Sequence, residues 1–216
     1  MAIHPTEIAV AALLKSPQGK MLELGEAIIS TENQTVDFCS EFVQLFKMDT
    51  PLQIVLLKDE HETQRISGRV YLSSQSMLRL VGVSDEILPG AKMAYMCSSN
   101  LTGTLRASIT EEIREGFFNI QRKTITSEQY FPVRVHNLSM QNVFFTSEKK
   151  LDKGQFTHLQ LMEPPVKDML LEVEKVLDFG QSVSNYHCRI KELRPAARLN
   201  LDNYITRLCE EQYKLF

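Results

Sequence analysis

Gln121-Arg122-Lys123-Thr124-Ile125-Thr126-Ser127 and, after a short gap, Pro132-Val133-Arg134-Val135-His136-Asn137-Leu138-Ser139-Met140-Gln141-Asn142-Val143-Phe144-Phe145 is the stretch that decides the reading of this chain. Its first part is polar, basic and without apolar periodicity, as a linker is. Its second part alternates apolar and polar residues, as a half-buried strand does. The strand runs into Asn137-Leu138-Ser139, a turn signal. Chemically, Arg122 and Lys123 offer donors for phosphates or for guanine O6 and N7, and a guanidinium can stack on a purine face. Asn137 and Ser139 add a short donor/acceptor pair for a base or ribose edge. The plain alternative is a capped turn at the end of a strand.

Working outward, the block after Phe131 continues in strand-like pieces. These are Val143-Phe144-Phe145, Phe156 to Leu161, Leu170 to Val176 and Tyr186 to Ile190, with turns at Asp152-Lys153-Gly154 and Pro164-Pro165. A closing helix follows, with Leu201, Tyr204, Ile205, Leu208 and Cys209 on one face and Asn200 as its N-cap. Upstream, Leu52 to Leu57, Gly68 to Leu72, Met77 to Val81, Lys92 to Met96, Leu101 to Ala107 and Gly116 to Ile120 read as short strands at regular spacing. That pattern predicts a small antiparallel barrel or sandwich. Residues 1–48 read as helical: Val36, Cys39, Phe42, Val43 and Phe46 recur at steps of three and four, and Ile8 to Leu14 suggests a shorter helix before the Ser16-Pro17-Gln18-Gly19 breaker. The expected division is a helical extension over 1–50, a β-barrel over 51–120 and a second barrel with its helix over 121–216. The fold class is mainly β. An apolar N-terminal helical face would serve to dock a protein partner or a second copy.

The 216 residues carry 24 Lys+Arg against 27 Asp+Glu, a formal charge of −3. A balanced composition excludes disordered and fibrous classes, and the slightly acidic balance argues against DNA or RNA as a partner. Cys39, Cys97, Cys188 and Cys209 are scattered without a C-x-x-C pair, so zinc-ribbon and redox-pair readings have no support. The N-terminal apolar stretch lacks a basic flank and is too short for a bilayer, which predicts a cytoplasmic protein with no membrane insertion. No phosphate loop, dinucleotide fingerprint, H-E-x-x-H or nucleophile elbow is present. The five histidines have no ligand-spaced neighbours, and Glu111-Glu112 reads as a solvated edge rather than an acid/base pair. The expectation is no enzyme, no metal and no resident cofactor.

With these residues in view, the second block resembles a PilZ domain, a six-stranded barrel with a C-terminal helix that in many members binds cyclic di-GMP. The family pattern is R-x-x-x-R in the loop before the barrel, then [D/N]-x-S-x-x-G at the end of an early strand. Asn137-Leu138-Ser139-Met140-Gln141-Asn142 matches the second motif with Asn142 at the glycine position. Residues 51–120 are similar to the PilZ-associated barrel of the flagellar-brake type, whose Gln-Arg-Arg linker Gln121-Arg122-Lys123 resembles. The resemblance implies two barrels and a ligand set of Arg122, Lys123, Ser127, Asn137, Ser139 and Asn142 for cyclic di-GMP. Aligned this way, Lys123 takes the first arginine position and Ser127 the second; read from Arg122, Thr126 takes the second. Either way one arginine is missing, and a lysine does not reproduce the planar fork. The implied function is a non-enzymatic cyclic di-GMP receptor or effector acting on motility, biofilm or virulence through protein contacts. The alternative is a degenerate PilZ protein that does not bind the nucleotide and works as an interaction or dimerisation module.

Overall fold

The computed structural model describes residues 8–115, 121–177 and 183–216; for residue 8 and for 108–115 and 121–126 it describes the backbone alone. The chain forms twelve strands and two helices in these segments: β1 (Ile8–Lys15), β2 (Met21–Ser30), β3 (Thr35–Cys39), β4 (Pro51–Lys58), β5 (His61–Ser73), β6 (Met77–Ile87), α1 (Ala91–Ala94), β7 (Cys97–Glu115), β8 (Gln121–Leu138), β9 (Asn142–Ser147), β10 (Phe156–Leu161), β11 (Val166–Leu177), β12 (Ser184–Glu192) and α2 (Pro195–Tyr213). The strands close into two antiparallel barrels, β1-β2-β3-β6-β5-β4 and β10-β11-β12-β9-β8-β7. Numbered within itself, each barrel has the order 1-2-3-6-5-4. Two barrels and a closing helix are the architecture the resemblance implies.

One compact unit takes the chain up to Tyr95 together with Cys209–Phe216; the other is Met96–Leu208. The first is cored by Leu14, Val36, Phe38, Ile54, Ile66, Leu78 and Leu80, with Leu215 and Phe216 packed against them. Each of these fully buried side chains contributes about 1.5–3 kcal/mol relative to exposure. The second is cored by Leu105, Val135, Phe145, Leu159, Met169, Leu171 and Tyr186.

The expected N-terminal helical extension is corrected by the structure: residues 8–39 are the first three strands of the first barrel. Alanine-rich Ile8–Lys15 has high helix propensity, but Ala12 and Leu14 are buried at alternate positions while Ala9 and Ala11 are exposed, which is a strand period. In β3 the inward residues are Val36 and Phe38, two apart, so the three-and-four spacing out to Phe46 was coincidental. The Ser16–Gly19 breaker is the β1–β2 hairpin turn: the Gly19 N–H donates to Ser16 O at 2.9 Å, and Gly19 has φ 82°. Docking through N-terminal helices falls with the helices.

Four further expectations shift. Lys92 to Met96, expected as a strand, contains the end of α1, a single helical turn whose Tyr95 N–H reaches Ala91 O at 2.8 Å. Leu101 to Ala107, assigned by sequence to the first barrel, lies in β7 of the second, which places the break between barrels at residues 95–96 rather than at 120–121. Gln121 to Ser127 is therefore not an inter-barrel linker but the start of β8, where β-branched Thr124, Ile125 and Thr126 suit a strand. Asn200 lies inside α2, which starts at Pro195, a residue suited to the first helical position. The expected strand at Gly116 to Ile120 falls outside the described residues.

Candidate functional site

The Asn-x-Ser motif sits where β8 turns into β9. Ser139 is fully buried, and its hydroxyl is engaged in the turn: its Oγ accepts the Asn142 N–H at 2.9 Å and the Gln141 N–H at 3.2 Å. Its backbone N–H donates to Asn142 O at 2.9 Å. This is a side-chain-capped turn, in which a short hydroxyl satisfies backbone donors that the ladder leaves unpaired. The preceding Asn137 is half-buried, opposite Ser98 of β7 and Phe144 of β9. Asn142 begins β9 opposite Arg189 and is not among the residues with positive φ, so the position that is glycine in the family motif needs no left-handed backbone here.

The basic side chains around β12 are already engaged. Arg189 Nε lies 2.7 Å from Glu174, His187 Nδ1 lies 3.6 Å from the same carboxylate, and Lys191 lies 2.9 Å from Glu172. Cys188, facing inward between them, has its thiol pushed up to about 12, first by burial and then by the Glu174 charge. It is an inert core thiol rather than a nucleophile.

The remaining implied ligands lie elsewhere. Ser127 is exposed on β8 opposite Ile109; Arg122 and Lys123 lie further out, opposite Arg114 and Ile113 of β7. Fourteen residues of unbroken strand separate Lys123 from Asn137, about 45 Å at strand rise. From Ala107↔Gln129 out to Glu115↔Gln121, β7 and β8 pair with each other alone among the described residues, since β10 meets β7 at Gly103–Arg106 and β9 meets β8 at Val133–Leu138. The fold thus brings Asn137, Ser139 and Asn142 together and leaves Arg122, Lys123 and Ser127 apart on a two-stranded ribbon. The segment that does precede the second barrel, Leu88 to Met96, contains Lys92 and no arginine.

A polar constellation that sequence reasoning missed lies in the first unit. Asp85 accepts the backbone N–H groups of Leu215 and Phe216, both at 2.9 Å. The buried Gln64 donates through Nε2 to Asp85 and, at 3.1 Å, to Tyr213 O. Tyr95 stacks on Tyr213 with centroids 4.1 Å apart, and its hydroxyl meets Thr63 at 3.1 Å. Burial pushes the Tyr95 phenol above its ordinary range. Contacts spanning 130 to 149 residues leave no local spacing to read.

Among the described residues, no group of three or more His, Cys, Asp or Glu is placed to hold a metal, and no helix is long and apolar enough to cross a membrane. No family model and no curated protein sequence matches the chain. Among solved structures, it is similar to the Bacillus subtilis inhibitor of motility MotI/DgrA, with 12% identity, TM-score 0.39, and 97% of this chain and 100% of that one covered. It is similar to Escherichia coli YcgR in complex with c-di-GMP, with 10% identity, TM-score 0.39 and coverage of 94% and 85%. It is also similar to apo MrkH of K. pneumonia, with 8% identity, TM-score 0.37 and coverage of 94% and 86%. At these scores the likenesses carry no functional weight by themselves; the weight rests on the geometry of the two barrels and the β8–β9 turn.

Proposed function

We propose that the chain is a non-enzymatic signalling protein of the two-barrel PilZ type that works through protein contacts and has lost the cyclic di-GMP clamp. The observation that carries this reading is the separation along β8: the basic residues that would close over a nucleotide lie fourteen and fifteen residues of continuous strand, about 45 Å of chain, before Asn137. Two facts support it. The Ser139 hydroxyl already serves the turn, and the segment before the second barrel lacks the arginines that read guanine edges. Protein contact is supported by Phe42, Leu45 and Met48, which are 66%, 63% and 69% exposed on the β3–β4 connection. That connection is held along β5 by the Asp49 N–H to Val70 O bond at 2.8 Å. A cluster of large exposed apolar side chains on an ordered connection is the usual mark of an interaction surface.

The second reading, a cyclic di-GMP receptor, is favoured by Asn137, which stands at the motif position with its side chain half-buried. Calorimetric titration with cyclic di-GMP decides between them. A flat trace at ligand concentrations on the order of 100 μM is expected, and saturable heat lost on Asn137→Ala would overturn the proposal. Light scattering of the wild type and of Phe42→Ser/Met48→Ser reads whether those side chains join two copies of the chain.

A further inference from the structure

The first unit carries a cavity of about 580 Å³ that the reading above does not use. It opens at one mouth of the first barrel, and all of its lining residues belong to that unit. Its walls are mostly apolar, from Val10, Ile29, Leu56 and Leu57 on the strands and Leu215 on the closing segment. That segment is a fixed wall, because Asp85 holds the Leu215 and Phe216 N–H groups and Gln64 holds Tyr213 O. Barrel mouths are a recurrent place for small-molecule sites, which run to about 300–1,000 Å³ with apolar walls and a few polar groups.

The charged groups on the lining define the kind of ligand. They are Lys58 and Lys214 against Glu32, a surplus of one positive charge. Lys58 Nζ lies 5.0 Å from the Tyr95 ring centroid, which holds the ammonium over the wall, and it has no carboxylate partner among the described residues. A surplus of one neutralises a monovalent anion, whereas a dianionic phosphate would keep an uncompensated charge against mostly apolar walls. Tyr95 and Tyr213 stack on each other, so the two rings do not stand apart as a pair that could sandwich a flat base. Aliphatic walls with an unpaired ammonium at the opening match a chain with an acidic head.

We propose that this cavity binds an amphipathic monocarboxylate of the medium-chain fatty-acid kind, its hydrocarbon against Val10, Ile29 and Leu56 and its carboxylate at Lys58. The site is on the other barrel from the Asn-x-Ser turn, so its success or failure is independent of the nucleotide result.

The test uses the whole chain, with cis-parinaric acid as fluorescent probe and dodecanoate and dodecanol as competitors. Saturable binding is expected, with dodecanoate displacing the probe about tenfold better than dodecanol, the size of one charge-assisted contact. Lys58→Met removes that preference, and Ser30→Trp, which places an indole on the lining, abolishes binding while circular dichroism stays unchanged. Absence of saturable binding, or binding that survives Ser30→Trp in a folded protein, overturns the site. Equal displacement by acid and alcohol, or a preference unmoved by Lys58→Met, overturns the carboxylate assignment.

Discussion

The two barrels thread six strands in the same order and put their polar groups to different use. In the second, the interior is filled: Tyr186 is 1% exposed, its ring lies 5.4 Å from Phe145, and its hydroxyl donates to Lys149 O at 2.9 Å while accepting the Leu151 N–H at 3.2 Å. In the first, Gln64 and Asp85 are spent on the backbone of Tyr213, Leu215 and Phe216, and a cavity stays open beside them. The recognisable motif lies in the barrel whose core packs around Tyr186, and the apolar-walled cavity lies in the unmarked one; a more open hollow of about 520 Å³ lies on the second barrel beside Lys153, Gly154 and Glu172 to Lys175. Strand order therefore does not say where a ligand goes; unfilled space and uncommitted polar groups do.

The sharpest way to break this contrast is Tyr186→Ala. Removing a fully buried ring is expected to cost about 3–5 kcal/mol, read as a drop in the urea midpoint. Tyr186→Phe keeps the ring and strands one donor and one acceptor, for about 1–3 kcal/mol. If both variants unfold like the wild type, the second barrel is not the filled one. In the first barrel, Asp85→Ala leaves two backbone N–H groups without their acceptor, for about 1–3 kcal/mol. The amides of Leu215 and Phe216 are then expected to exchange faster with solvent than in the wild type. Unchanged exchange would mean that the closing segment is held by its apolar packing alone.

Alkali gives a smaller effect that also separates the barrels. The Cys188 thiol of the second barrel is raised from 9.0 to about 12, by burial and then by Glu174. The folded state holds the proton more tightly than the unfolded chain does. That stabilisation is full below pH about 9 and drains away as pH rises toward 12, by at most about 1.4 kcal/mol per pH unit. At pH 10 the wild type is expected to lose about 1 kcal/mol more, relative to pH 8, than Cys188→Ala does. Parallel pH profiles for the two proteins would sink the assignment.

Much of the second barrel was legible, because β9, β10 and β12 bury alternate residues, and so do Val133 and Val135 of β8 and Met169, Leu171 and Val173 of β11; a period of two survives in any sequence window. The closing helix was legible from Leu201, Ile205 and Cys209, all buried on one face. The N-terminal strands were not, because Ala9, Ala11 and Ala12 favour a helix locally and only pairing with β2 and β4 makes them a strand. The site was half legible. Asn137, Ser139 and Asn142 are neighbours in sequence and in space. The placement of Arg122 and Lys123 depended on where the first barrel ends, which residues 88–96 do not announce. Gln64, Asp85 and the closing segment were invisible, since nothing local marks a carboxylate that will accept an amide 130 residues away.

Ser139→Ala carries the smallest effect and bears on both barrels' roles. If the hydroxyl is a turn cap, its loss leaves the Gln141 and Asn142 N–H groups to water or to nothing, a cost of about 0.5–1.5 kcal/mol by analogy with helix N-caps and single hydrogen bonds. The stability loss is then present without any nucleotide, and adding cyclic di-GMP leaves the melting temperatures of wild type and variant equally unmoved. If the hydroxyl instead serves a ligand, the order reverses: the unliganded proteins melt alike, and the nucleotide raises the wild type alone. A ligand that binds the native state at one hundred times its dissociation constant stabilises it by about 2.7 kcal/mol, larger than the cap itself, so the two outcomes do not overlap. The same pair of melts reports on Asn142: with the turn held by Ser139 and no positive φ required, Asn142→Gly is expected to stabilise nothing, because the conformational freedom that glycine brings has no strained backbone to relieve.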